Sequence, residues 1–144
     1  MELIQPCNQE GKELDFMVAM ADPTMTFKFG YDIPEDKSWV DLGWILNQNG
    51  VLVRYTRDLK RIPKEDLVEE IFSPSTNWGQ MGPLIELYAN VRFFAEKGKT
   101  WCHIDTRGMG VDCSVPADTK LLAAAKAYST AFLGWSVIKP KHFK

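Results

Sequence analysis

Asn90-Val91-Arg92-Phe93-Phe94-Ala95 and Thr100-Trp101-Cys102-His103-Ile104-Asp105-Thr106 flank Glu96-Lys97-Gly98-Lys99 and read as the arms and turn of a β-hairpin. Aromatic and β-branched residues dominate both arms, and the glycine supplies the turn. Arg107 to Pro116 holds two glycines and a proline and reads as a loop. Asp118 or Thr119 then caps a helix whose inner face is Leu121, Ala125, Tyr128 and Phe132, with Gly134 placed to end it in the left-handed conformation. Hairpin turns, rather than helical crossovers, join the strands. The expected fold is therefore α+β: a small, mostly antiparallel sheet with two or three helices packed on one face.

Upstream, Leu14, Met17, Val18 and Ala21 recur at helical spacing within Lys12 to Ala21, and Asp22-Pro23 stops the helix because a residue before proline avoids the α region. Phe27, Phe29 and Tyr31 alternate as one face of a strand. Trp39 to Leu46 fits either a strand or a short helix. Asn49-Gly50 marks a tight turn, pairing Trp44 to Gln48 with Val51 to Tyr55. Pro63 suits the first turn of a short helix reaching about Ile71, and Leu84 to Tyr88 suits one or two helical turns. With 144 residues and 45% hydrophobic content, the chain can bury one ordinary core. Residues 1–138 are expected to form a single α+β domain, followed by a basic C-terminal tail over 139–144.

Composition excludes several classes of function. The net charge of −2 carries no basic surplus, which disfavours a nucleic-acid partner. No apolar run reaches spanning length, so no membrane partner is expected, and Met1 to Pro6 does not read as a signal peptide. Cys7, Cys102 and Cys113 are widely spaced and form no CxxC pair. Reduced thiols in a cytoplasmic protein fit better than a disulfide framework or a metal site. No nucleotide-loop, zinc-protease or serine-hydrolase motif is present, so no catalytic residue, metal ligand or cofactor is assigned. On a strand, His103 and Asp105 share one face and Cys102 points to the other, which separates the thiol from the imidazole. A hydrogen bond on the hairpin surface accounts for His103 more simply than catalysis. Glu65, Asp66, Glu69 and Glu70 read as the solvated face of a short helix.

One segment stands apart: Ser73-Pro74-Ser75-Thr76-Asn77-Trp78-Gly79-Gln80-Met81-Gly82-Pro83. It combines uncharged hydrogen-bonding side chains with an indole and two glycines that permit close approach. A helix beginning near Pro83 would turn free N–H groups toward it. Two readings compete. In one, Ser75, Thr76, Asn77, Trp78 and Gln80, joined by Trp101 from the hairpin, line a site for a polar planar ligand. In the other, Ser75 or Thr76 caps the helix and Trp78 plugs the core.

Phe72-Ser73-Pro74-Ser75-Thr76-Asn77-Trp78-Gly79-Gln80-Met81-Gly82-Pro83-Leu84-Ile85-Glu86 resembles the central motif of the phage NinX-like family. Glu13 to Ala21, Trp101 and Leu121 to Tyr128 are similar to its flanking helix, tryptophan strand and closing helix. Thr24 to Arg61 is longer than the usual connection, and Val115-Pro116-Ala117-Asp118-Thr119 stands where the family often has Gly-Pro-Thr-Pro. The resemblance implies a phage or prophage accessory protein in the bacterial host cytoplasm, and it brings no established activity, cofactor or catalytic residue.

The expected function is non-catalytic binding, of a nucleotide-like small molecule or a host protein, that modulates host physiology or defence. The alternative is a protein–protein module that binds a host protein or self-associates as a homo-oligomer through Phe27, Phe29, Tyr31, Trp39 and Trp44. A third reading is a hydrolase or transferase using His103 and Asp105.

Overall fold

The computed structural model describes residues 2–22, 28–29, 44–47, 49–55 and 69–143. In chain order they form β1 (Leu3–Ile4), a 3-10 turn (Pro6–Asn8), α1 (Gly11–Ala21), β2 (Lys28–Phe29), β3 (Ile45–Leu46), β4 (Leu52–Tyr55), β5 (Glu69–Ile71), α2 (Trp78–Tyr88), β6 (Asn90–Glu96), β7 (Lys99–Asp105), β8 (Cys113–Ala117), α3 (Lys120–Leu133) and β9 (Val137–Ile138). The chain is α+β, with three small sheets that are antiparallel apart from the parallel pair β2–β3. It divides into two units: Met1–Pro23 with Ser73–Lys144, and the intervening Thr24–Phe72.

The first unit is built on the hairpin. Lys97 (φ 54°) and Gly98 (φ 76°) both take positive φ, the requirement of a two-residue type I′ turn. β6 and β7 then pair without a break from Asn90↔Asp105 to Glu96↔Lys99. The expected loop over Arg107 to Pro116 is corrected at its end. Cys113 and Val115 are buried while Pro116 is exposed, so β8 pairs with β7 as an outer strand. An outer strand tolerates proline where the missing N–H would face away from the neighbouring strand.

α3 lies against the buried face of β7 and β8, and α1 packs against α3. Thr119 caps α3 by accepting a hydrogen bond from Leu122 N, and Gly134 ends it with the expected positive φ (95°) but with an extended ψ of 173° in place of the left-handed helical one. The expected inner face was too narrow. Ala123, Ala124, Ala125, Ala127, Tyr128, Ser129, Thr130 and Ala131 are all at most 1% exposed, whereas Leu121 and Phe132 are only half-buried. A helix covered on two sides buries more than one stripe, and alanine lets both neighbours come close. β1 and β9 pair antiparallel. Beyond β9 the basic segment is tied down: Lys139 N donates to Glu2 O (2.9 Å), and the rings of His142 and Phe143 meet Phe16 edge-on.

In the second unit, β3 pairs with β4 around Asn49-Gly50, in the register Leu46↔Leu52. Gly50 sits at φ 76°, and Asn47 Oδ1 accepts from the N–H groups of Asn49 and Val51. The short helix expected to reach Ile71 is corrected over its last residues, where β5 pairs antiparallel with β4. Arg54 and Glu70 form an ion pair there (2.8 Å), with the guanidinium over the Trp44 ring (4.6 Å), and Trp44 packs on Phe72. Trp39, Phe27, Tyr31 and the start of the expected Pro63 helix lie outside the described residues.

Between β7 and β8, Thr106 and Asp112 close a short loop. Asp112 Oδ1 accepts from Thr106 N and Oγ1, and Thr106 Oγ1 accepts from Gly110 N. Val111 N then donates to Ala131 O (2.7 Å). A Cβ on Gly110 would lie 2.3 Å from Ala131 O, a clash with backbone that no rotamer relieves. We expect Gly110→Ala to destabilise the protein by roughly 2 kcal/mol or more in urea denaturation. Full stability in that variant would mean that the loop does not dock on α3.

Candidate functional site

The segment Ser73 to Gln80 is a tight turn running into a helix. α2 begins at Trp78, not near Pro83, and its N-cap is Asn77, whose side chain accepts from Gly79 N (2.8 Å). Ser75 and Thr76 therefore do not cap it. Pro83 sits inside the helix, on its exposed side, where the carbonyl it leaves without an N–H partner can be hydrated. Thr76 Oγ1 donates to Ser73 O (3.2 Å), and Gln80 Oε1 accepts from Ser73 N (2.6 Å). Most of the polar groups singled out from the sequence thus shape the turn itself.

Ser75 is buried, and its N–H donates to Asp15 Oδ1 of α1 (2.8 Å). This bond spans 60 residues and leaves no signal in the sequence, because an acidic residue beside an apolar helical stripe has no distinctive spacing. Burial pushes the Asp15 carboxyl above its ordinary range; the Ser75 N–H and hydroxyl oppose that shift without cancelling it. The hydroxyl lies close enough to favour the ionised carboxylate, although it makes no hydrogen bond of ordinary geometry.

Trp78 is 44% exposed and meets Phe93 of β6 edge-on, with ring centroids 6.2 Å apart. Lys120 Nζ lies over the other aromatic participant, Phe93, at 5.6 Å. Trp101 is not brought to this place. It pairs across the hairpin with Phe94, whereas Phe93 pairs with Cys102, and neighbouring positions on a strand face opposite ways. Trp101 stacks on Phe94 (6.0 Å, 10° between planes) and donates its indole N–H to Glu96 O. Trp78 and Trp101 thus belong to opposite faces of the sheet.

The face carrying Trp101 also carries His103, whose Nδ1 pairs with Ser114 Oγ (2.8 Å). Asp105 instead accepts from Arg107 N. The His103–Asp105 arrangement needed for acid–base work is not assembled. Cys102 and Cys113 are buried beneath α3, and Cys113 Sγ donates to Ala127 O. Burial pushes their thiols up to about 12 and about 11 respectively, which keeps them protonated and unreactive near neutral pH. Among the described residues, no group of three or more His, Cys, Asp or Glu side chains is placed to hold a metal ion.

Three outcomes follow from this geometry. Asp15→Ala removes the acceptor of a buried N–H and should cost about 1–3 kcal/mol, while Asp15→Asn keeps an acceptor and costs less. The penalty of the buried charge is absent below the unfolded value of 3.8 and complete above the raised folded value. The stability of Asp15→Asn relative to wild type should therefore rise with pH across that window in urea titrations, and a flat difference would contradict the buried ionisation. In a thiol titration at neutral pH, half-exposed Cys7 should react in the native protein, and Cys102 and Cys113 only after unfolding.

No curated protein matches the chain. The family described as Bacteriophage P22, NinX matches residues 7–131, a span that includes the Ser73 to Pro83 segment, the hairpin and most of α3. The chain therefore belongs to the phage P22 NinX family.

Proposed function

We propose that this phage accessory protein acts by non-catalytic binding in the host cytoplasm, and that Trp78 is the residue through which a polar planar, nucleotide-like ligand docks. The observation that carries this reading is the half-exposed indole at the first position of α2. Its ring meets Phe93 edge-on, and the exposed part of the residue is available for stacking by a flat partner. The turn beneath it is stiffened by the Asn77 cap, the Gln80–Ser73 bond and the Asp15–Ser75 bond, so little ordering entropy is lost on binding. The side chains of Thr76 and Asn77 are exposed beside the ring and can hydrogen-bond a polar edge. Ser75 supports the turn from below, and Trp101 stays outside the site.

A second reading, binding of a host protein, is favoured by the exposed apolar side chains of Met109, Val111 and Trp135.

Two assays on the same set of variants separate the readings. Under the first, a nucleotide panel quenches tryptophan fluorescence and raises the melting temperature, Trp78→Ala abolishes both effects, and Trp101→Ala preserves the melting shift. A response that survives Trp78→Ala, or no response to the panel, removes Trp78 as the ligand contact. Under the second, Met109→Ser with Trp135→Ser abolishes host-protein capture while Trp78→Ala leaves it intact.

A further inference from the structure

β6 is an outer strand, since the sheet order β6-β7-β8 leaves its far edge without a strand partner among the described residues. The type I′ turn determines which backbone groups lie on that edge. The residues closing such a turn, Glu96 and Lys99, form a hydrogen-bonded pair. Alternation along the strand then directs Asn90, Arg92, Phe94 and Glu96 toward β7, and leaves the N–H and C=O groups of Val91, Phe93 and Ala95 facing outward. Within β6 itself the usual protections of an open edge are few. β6 has no proline, its seven-residue register contains no bulge, and Arg92 is its only charge before the terminal Glu96.

We propose that a second copy of this chain covers this edge, β6 pairing antiparallel with β6 about a two-fold axis at Phe94 to make one six-stranded sheet. Charge selects this register. A two-fold axis at Arg92 would set two guanidinium groups against each other, and an axis at Phe93 would leave Arg92 opposite Phe94. The axis at Phe94 places Arg92 opposite Glu96 of the partner subunit twice over, on either side of a Phe94 pair. Both charges are exposed, and neither makes an ion pair within the chain among the described residues. These contacts fall at non-hydrogen-bonded positions, where opposing side chains stand closest. On the other face Phe93 meets Ala95 of the partner subunit, large against small, which leaves room for the Trp78 ring beside Phe93. The outward backbone groups of Phe93 and Ala95 form the hydrogen-bonded pairs in the same register. One patch thus serves both subunits, as a closed two-fold interface requires. The pairing does not depend on ligand binding at Trp78.

Sedimentation velocity over a range of concentrations tests the pairing. Wild type should show a monomer–dimer equilibrium. Arg92→Glu and Glu96→Arg should each raise the dimer Kd by about tenfold or more, and Arg92→Glu combined with Glu96→Arg should restore it. Ala95→Pro removes an N–H that faces outward, so the monomer should keep its circular dichroism spectrum and lose the dimer. A wild type that stays monomeric at every concentration overturns the proposal. So does a dimer indifferent to Ala95→Pro, or one that the double charge exchange fails to rescue.

Discussion

The close approach of two neighbours to one alanine-rich helix is the constraint on which the first unit depends. α3 meets the sheet on one side and α1 on another, and its buried residues are mostly alanines, with Tyr128 the one large side chain among them. A larger residue at Ala123, Ala124 or Ala127 would have to displace either a helix or a sheet, since protein interiors leave no spare volume. Ser129 returns its hydroxyl to Ala125 O, which lets a polar side chain be buried in that wall at little cost. The β7–β8 loop depends on the same closeness, because Gly110 lies against the Ala131 carbonyl where no Cβ fits.

The second consequence is topological. The first unit is assembled from two stretches separated by Thr24–Phe72, so α1 must be joined to the rest by contacts rather than by chain continuity. The Asp15–Ser75 hydrogen bond does this for the family's central segment. A buried carboxylate is an expensive way to secure a turn, since burial raises its pKa. It is also a specific one, because an acceptor at that position leaves no doubt about which N–H it must meet.

The polar residues of the Ser73 to Gln80 segment shape Trp78's surroundings more than they present themselves to a partner. Thr76, Asn77 and Gln80 each spend a side-chain group on the local main chain, while the indole is left half outside. The result is a rigid platform with an aromatic surface. The opposite face of the sheet, with Phe94 stacked on Trp101 and His103 bound to Ser114, is a separate surface with its own chemistry.

Much of this was legible in the residues alone. The α+β class, the 90–106 hairpin, α1 and its stop at Asp22, the Thr119 cap and the Gly134 terminus all follow from local rules of turn, cap and period, which act within a few residues and leave a direct trace in sequence. Family membership was legible for the same reason, since the central motif is one continuous segment. Tertiary structure decided what depends on partners distant in sequence. It made a strand of Cys113–Ala117 by supplying β7, and a strand of Glu69–Ile71 by supplying β4. It widened the buried face of α3 by covering it from two sides, whereas the helix start at Trp78 is a local matter, set by the Asn77 cap and the Gln80–Ser73 bond. It also set Trp101 on the face away from Trp78, because strand register, not composition, determines which side of a sheet a side chain occupies.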